Sequence, residues 1–260
     1  MTLVRVINRI VSRLLLVCLG VLLVLGAFGL ARLADAPCGP LSRSACVRVL
    51  FLCNSYTYVN DLPTVFRDLA RSGGRNVETS MVANAGETLA QHAASPDSLG
   101  AIRGSRWQFV VLQEQSEIPA LASAWQTQMF PPAETLVAAI RSAAATPILL
   151  ETWAHRDGLP DQGLDYAAMQ AAITQGYRSL GAALGVAVAP AGDTWQTVLR
   201  TNPTIALWQA DGSHPSPAGT YLAACALYSR IFDASPVGIS DTGGLPPDVA
   251  RALQVAAGQP

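Results

Sequence analysis

The sequence predicts an α/β domain built on a parallel sheet with helices on both faces. Three observations lead there. Apolar runs of strand length recur along the chain, separated by stretches with helical periodicity, and this alternation is the pattern of parallel βαβ units. The first run, VRVLFL at 47–52, is nearly continuous in its apolar residues, as a strand covered on both faces should be. Half of the 260 residues are hydrophobic and only 13% are charged, which suits one compact domain accompanied by a membrane-directed segment.

Each element can be justified in turn. After the strand at 47–52, a helix is expected over 61–72, with Asn60 or Asp61 as N-cap and Pro63 in its first turn. Leu62, Val65, Phe66 and Leu69 fall at i, i+3, i+4 and i+7, and Gly73-Gly74 ends the helix. A second strand is read at 76–82, followed by the turn Asn84-Ala85-Gly86 and short helical pieces through His92 and over 98–102. The third strand is placed at 107–113, a helix at 132–144 and the fourth strand at 147–151. A long irregular loop then holds Trp153, His155, Arg156 and Asp157. The longest helix after the N-terminal segment is expected at 164–184, closed by Gly185, and a short fifth strand at 186–189. Helices at 193–200 and 216–232 follow, then a Pro- and Gly-rich tail with a short helix at 247–256. No internal repeat is found.

The N-terminal segment is distinct. Residues 14–31 (LLLVCLGVLLVLGAFGLA) are uncharged and follow Arg5, Arg9 and Arg13. Their length is about the minimum for a hydrocarbon core of ~30 Å. The arginines ahead of the run place the N-terminus inside and the remainder outside, in the periplasm or extracellular space. Ala34-Asp35-Ala36 has the form of a signal cleavage site, but Pro37 follows it directly, and both the basic region and the apolar run are long for a signal peptide. The segment is therefore read as a retained anchor in preference to a cleaved signal; cleavage would make the protein secreted. Residues 1–36 form this anchor or signal with its tether, and 37–260 form the globular domain.

The chain carries 17 basic and 18 acidic residues, and its first 32 residues hold four of the arginines and no acid. The remainder is mildly acidic, which argues against nucleic acid as a partner. There is no lysine, which removes Ser-Lys and Schiff-base mechanisms. Of five cysteines, Cys18 lies in the apolar run, and Cys38 and Cys46 bracket a short loop where an oxidising compartment would let them pair. Cys53 and Cys225 read as small buried residues. No Cys/His ladder is present, so no structural metal and no cofactor are expected.

The chemistry concentrates at two places. Ser55 sits where the first strand turns towards a helix, at the end of the sheet where open α/β folds bind ligands. A serine nucleophile needs a base within hydrogen-bond reach and a third group to orient that base. His214 stands in Asp211-Gly212-Ser213-His214-Pro215, just before a helix, and a carboxylate three residues ahead of a histidine in a glycine-containing loop can fold back on the ring. Pro215 and Pro217 stiffen the loop, and Ser216 is placed as N-cap. His92 reads as a helix-surface histidine, and Trp208 as packing under the base loop.

Taken together, CNSYTYVNDLP and DGSHPSPAGTYLAA resemble the first and last sequence blocks of the SGNH (GDSL-like) hydrolases, in their GNSYT form. Gly86 in NAGETL is similar to the second-block oxyanion glycine, and matching segments run from about Val47 to Phe232. The resemblance implies a three-layer α/β/α sandwich with a flavodoxin-like sheet. It also implies ester or acyl hydrolysis through a triad of Ser55, His214 and Asp211, with the backbone N–H groups of Ser55 and Gly86 facing the oxyanion.

Two departures stand out. The first-block glycine is Cys53, which as an alternative nucleophile is disfavoured because nothing nearby lowers its pKa. The third block, Gly-x-Asn-Asp, is replaced by Leu112-Gln113-Glu114-Gln115-Ser116. A glutamine amide can donate the same N–H, so Gln113 is assigned to the oxyanion hole, with Gln115 as its substitute.

Asn54, Gln115, Trp153 and His155 are the candidates for contact with substrate. For Trp153 and His155, ordinary loop packing is the alternative. One of Glu114 and Glu117 is expected to be a buried structural acid, and a metal site from His155, Asp157 and Asp161 has no recognised spacing. The reading is a membrane-anchored or exported serine hydrolase acting on a small O-acyl ester, on carbohydrate or a cell-envelope glycan by family analogy. The alternatives are an O-acyltransferase with the same triad and a catalytically inactive envelope-binding module.

Overall fold

The computed structural model describes Cys38 and residues 45–258. Of a first compact unit, Met1–Cys46, this includes Cys38 and residues 45–46, and there Cys38 and Cys46 form a disulfide. The apolar run at 14–31 and the Ala34-Asp35-Ala36 site lie outside the described residues. Among the described residues, no helix is long and apolar enough to cross a membrane.

The second unit, Val47–Pro260, is a three-layer α/β/α sandwich around a five-stranded parallel sheet. The strands are β1 (Val47–Asn54), β2 (Val77–Asn84), β3 (Phe109–Leu112), β4 (Thr146–Leu150) and β5 (Ala187–Ala189), in spatial order β2-β1-β3-β4-β5. This is the flavodoxin-like order. The helices are α1 (Ser55–Tyr58), α2 (Leu62–Ser72), α3 (Leu89–Ala94), α4 (Pro96–Arg103), α5 (Phe130–Ser142), α6 (Tyr166–Leu184), α7 (Ala191–Thr201), α8 (Pro217–Phe232) and α9 (Pro247–Ala257).

The layers follow from side-chain alternation along the strands. Val49, Phe51 and Cys53 enter one core with Phe66 and Leu69 of α2 and Leu222 and Cys225 of α8. Leu50 and Leu52 enter the other, with Leu136 and Ile140 of α5 and Ile173 and Tyr177 of α6. A strand between two cores cannot alternate apolar with polar, so β1 is apolar at every central position.

The long elements begin and end where local chemistry directs. Asp61 caps α2 by accepting a bond from Thr64 N, and Pro63 occupies the first turn, where no N–H is needed. Ser216 accepts from Gly219 N at the start of α8 and donates to the Ala206 carbonyl. Gly219 has no alternative: a Cβ there would lie 2.4 Å from both the Leu207 carbonyl and the Trp195 ring.

Two regions differ from expectation. Ser55–Tyr58 is a turn of helix, and 118–129 folds into short helical turns at Ile118–Ala120, Ala122–Ala124 and Trp125–Met129. These pieces are too short to show periodicity, and the second region is closed on itself by a bond from Trp125 Nε1 to the Pro119 carbonyl, 2.8 Å.

The strand order determines where a site can form. β1, β2 and β3 all end at one edge, delivering Ser55, the Asn84-Ala85-Gly86 turn and Gln113–Ser116 to the crevice where the connections reverse direction.

Candidate active site

The turn that carries Ser55 is built around Asn54. Its Oδ1 accepts from Tyr56 N (3.1 Å) and from Gln113 Nε2 (3.0 Å), while its Nδ2 donates to the Glu87 carbonyl (3.0 Å). One buried amide thus ties the end of β1 to the loops after β2 and β3, and α1 starts at Ser55 as a consequence. The N–H groups of a first helical turn have no acceptor within the helix, and that of Ser55 is one of them.

The loop that carries His214 meets this turn. His214 Nε2 lies 3.0 Å from Ser55 Oγ, and His214 Nδ1 lies 2.6 Å from Asp211 Oδ2. The other carboxylate oxygen of Asp211 accepts from the N–H groups of Ser213 (2.9 Å) and His214 (3.0 Å). Slight burial opposes ionisation of Asp211, but these backbone and ring donors outweigh it and hold the carboxyl below its ordinary range.

The loop is anchored from below. Gln209 N donates to the His214 carbonyl, Trp208 pairs with Pro215, and Arg156 N donates to the Gly212 carbonyl (2.7 Å). Trp153 Nε1 donates to the Ser213 carbonyl (3.1 Å), and the Tyr56 hydroxyl meets Ser213 Oγ at 2.7 Å. The Tyr56 ring stacks on Trp153, which stacks on Trp195. Tyr56 follows Ser55 in the chain and grips the loop that carries His214.

Gln113 does not face the oxyanion position. It is buried, its Oε1 accepts from Thr57 Oγ1 (3.1 Å) and Asn54 N (3.4 Å), and its Nε2 donates to Asn54 Oδ1 and the Glu114 carbonyl. Acceptors surround the nitrogen and donors the oxygen, so both the amide's orientation and its donors are committed to holding the turn.

Gln115 is placed differently. Its Oε1 is held by Glu117 N (2.8 Å) and Ile118 N (3.2 Å), which turns its Nε2 towards Ser116 Oγ (3.3 Å) and the cleft. Gly86 lies across the same cleft, in a turn closed by Glu87 N to the Asn84 carbonyl, with a φ of 63° that favours glycine. The cleft measures about 380 Å³ and includes Ser55, His214, Gly86 and Gln115. The concavity bounded by Pro190, Arg230 and Gly258 is roomier, at about 430 Å³, but no histidine lines it.

Other expectations need correction. Trp153 does not line the cleft; it is buried in the aromatic stack beneath it. His92 is fully buried and not on a helix surface: Nδ1 contacts Ser98 Oγ (2.8 Å) and Nε2 the Cys53 carbonyl (2.9 Å), because α3 packs its polar ring onto the end of β1. Burial, opposed by that carbonyl and by Glu87, lowers its pKa. Burial pushes the Cys53 thiol up to about 12, which leaves it protonated and unreactive. Glu114 is the buried acid, accepting from Gln115 N and Leu89 N.

His155 approaches the site from the loop after β4, with Nε2 3.3 Å from Ser116 Oγ. Sequence reasoning missed Glu87, whose Oε2 accepts from Asn84 N and Nδ2 and braces the Gly86 turn, and it missed the grip of Tyr56. Neither has a sequence signal beyond its nearness to a motif.

No protein-family model matches the sequence, and no curated protein matches it. Solved structures do. A candidate SGNH hydrolase from Slackia heliotrinireducens is 28% identical, with a TM-score of 0.62 over 72% of this chain and 100% of its own. The fold is that of the SGNH hydrolases. A DUF4886 family protein from Bacteroides uniformis shares the SGNH-like architecture of this chain at 18% identity, with a TM-score of 0.67 over 82% of this chain and 93% of its own. An acetyl xylan esterase from Geobacillus stearothermophilus does so at 13% identity, with a TM-score of 0.56 over 71% and 94%. In this SGNH fold the first-block glycine position is Cys53, whose side chain points into the core beside Phe51 and away from the cleft.

Proposed function

We propose that the protein is a serine carboxylic ester hydrolase that cleaves small O-acyl esters, with Ser55 as nucleophile, His214 as general base and then acid, and Asp211 as its orienter. The observation that carries this reading is the hydrogen-bonded chain from Ser55 Oγ through the His214 ring to Asp211 at the mouth of the cleft. Ser55 Oγ adds to the ester carbonyl as its proton passes to His214 Nε2. The tetrahedral intermediate collapses, the C–O bond to the alcohol breaks, and His214 returns the proton to the leaving oxygen. Water then adds to the acyl-enzyme through the same base, releasing the acid and restoring the Ser55 hydroxyl.

The oxyanion is assigned to the N–H groups of Ser55 and Gly86 and to Gln115 Nε2 in place of Gln113. Removing one such donor typically costs ~10²–10³ in rate, so Gln115→Ala should lower kcat for p-nitrophenyl acetate by about 10². An unchanged kcat would remove Gln115 from the oxyanion hole.

Cleft size and lining support a small acyl group. Tyr56, Tyr58 and Ala85 are the apolar contributions to the cleft lining, which holds no large aliphatic side chain to receive a fatty chain. The acetyl xylan esterase of the same fold supports acetyl esters on carbohydrate as the class. The Arg-flanked apolar run and the Cys38–Cys46 disulfide support an exported, anchored location.

Tyr56 is a positioning residue in this scheme. Tyr56→Phe keeps the stack on Trp153 and deletes the hydroxyl that meets Ser213 and lies near the Ser116 hydroxyl. One hydrogen bond is worth ~1 kcal/mol, so kcat should fall by about fivefold while KM holds nearly constant. A change in KM alone would place Tyr56 in substrate binding instead.

The deciding experiment treats the full-length chain with a fluorophosphonate probe. Wild type should take the label, and Ser55→Ala should not. An unlabelled wild type, or equal labelling of Ser55→Ala, would overturn the assignment.

A further inference from the structure

A second serine–histidine pair stands beside the first. Ser116 borders the same cleft as Ser55 and His214, and its Oγ lies 3.3 Å from His155 Nε2. The same oxygen accepts from Gln115 Nε2 at 3.3 Å. Ser116 and the base loop also share a neighbour: the Tyr56 hydroxyl, bonded to Ser213 Oγ, feels the Ser116 hydroxyl as well. His155 in turn lies within electrostatic reach of Asp211 and His214, and of Glu117 beside Ser116. The pair therefore lies between Gln115 and the loop that carries His214.

The His214 side of the cleft has a defined chemical role. If Ser55 is the nucleophile, the leaving oxygen must approach His214 Nε2 to collect its proton, so the alcohol portion of the ester projects past His214. There the cleft presents the Ser116 and Ser213 hydroxyls, with His155 behind Ser116 and the Tyr56 ring beside His214. Burial opposes protonation of His155 more than the carboxylates near it favour it, and a neutral ring keeps one nitrogen as an acceptor. A serine hydroxyl next to a neutral imidazole offers a donor and acceptors together, which is what an alcohol hydroxyl requires.

We propose that Ser116 and His155 form a subsite binding a hydroxyl group on the alcohol portion of the ester, so that the substrates are acyl esters of polyhydroxy alcohols and not of simple alkyl alcohols. This rests on the serine hydrolase reading above. It assigns a discriminating function to two residues outside the triad and the oxyanion hole.

The test is a ratio of rates. The full-length chain, in detergent, is assayed for acetate release from glycerol monoacetate and from propyl acetate, esters of similar size that differ in hydroxyls. The ratio of kcat/KM should favour glycerol monoacetate by about tenfold or more in wild type, as expected for hydrogen bonds to a substrate hydroxyl in a partly open site. Ser116→Ala and His155→Phe should each lower that ratio several-fold, whatever happens to the individual rates, and Ser116→Thr should restore most of it.

A pair that merely ties two loops together would depress both esters in parallel and leave the ratio unchanged, and that outcome overturns the subsite. A wild type that takes the fluorophosphonate label but shows a ratio near one overturns it as well, leaving the triad intact. A wild type that neither labels nor releases acetate overturns the hydrolase reading and the subsite with it.

Discussion

His214→Ala should reduce kcat for p-nitrophenyl acetate by ~10²–10⁴, the usual contribution of a positioned general base, and Ser55→Ala should reduce it at least as far. If the two side chains act on one proton, the double variant should be no slower than the Ser55 variant alone. Asp211→Asn is the more informative change. Asp211 presents one oxygen to the His214 ring N–H and the other to two backbone N–H groups. An asparagine in either orientation points its NH₂ at one of these donors, so the base loses its orienter or the loop loses its brace.

Asp211 is half-exposed, its side chain retaining 47% of its accessible surface, so solvent replaces part of what is lost. We expect a fall of roughly 10² for Asp211→Asn, smaller than for a buried orienter. Steady-state kinetics on the three variants, with stability checked by thermal unfolding, decide the matter. Full activity in His214→Ala would sink the triad.

The second large effect is on stability. Two buried carboxyls lie behind the site: burial raises Glu114 to about 7, and burial with the nearby Asp193 raises Glu151 to about 8. Each has an Oε2 with no hydrogen-bond partner among the described residues, as suits a protonated acid better than a carboxylate. Unfolded, both would titrate near 4.5. Between that pH and the raised values, the folded chain holds protons that the unfolded chain has released, so stability falls as pH rises and levels off above about 8.

The depressed histidines His92 and His155 act in the opposite sense, but only below about 6.5, where the unfolded chain gains protons that the folded one refuses. The cleanest window is therefore pH 6.5 to 8. Over it the two acids should together cost roughly 2–3 kcal/mol, or about 5–10 °C in Tm. Thermal unfolding of wild type and Glu151→Gln across this window tests the idea: the variant should lose most of the slope. An equal slope in both would mean that Glu151 is ionised in the folded state.

The two effects share a structural cause. The residues around the cleft are held by buried polar groups as well as by the aromatic stack beneath it: Asn54 ties three loops, Gln113 holds Asn54, and Glu114 holds Gln115 N. Such a network gives precise placement when every member is satisfied, and it couples the site to the ionisation of its supports.

Much of this was already written in the residue order. Strand β1 declared itself because both its faces are buried, and α2 and α8 because capping residues and periodicity agree. Asp211 and His214 are near in sequence, so the loop chemistry that joins them is local and could be read before any fold was known. Ser55 could be located because a strand's end is a local event. What sequence could not supply was every choice that depends on residues far apart meeting in space. Gln113 and Gln115 look equivalent as donors two residues apart, yet β3 ends between Leu112 and Gln113, so one side chain goes into the seam with Asn54 and the other out to the cleft. His92 reads as a surface residue on a short helix until α3 is laid across the end of β1. Trp153 and Tyr56 acquire their meaning from stacking across 97 positions of sequence. Local rules settle where elements begin and what their ends offer; tertiary packing alone decides which polar side chain is spent on holding the turn and which is left facing the cleft, because only there do distant donors and acceptors compete for the same partners.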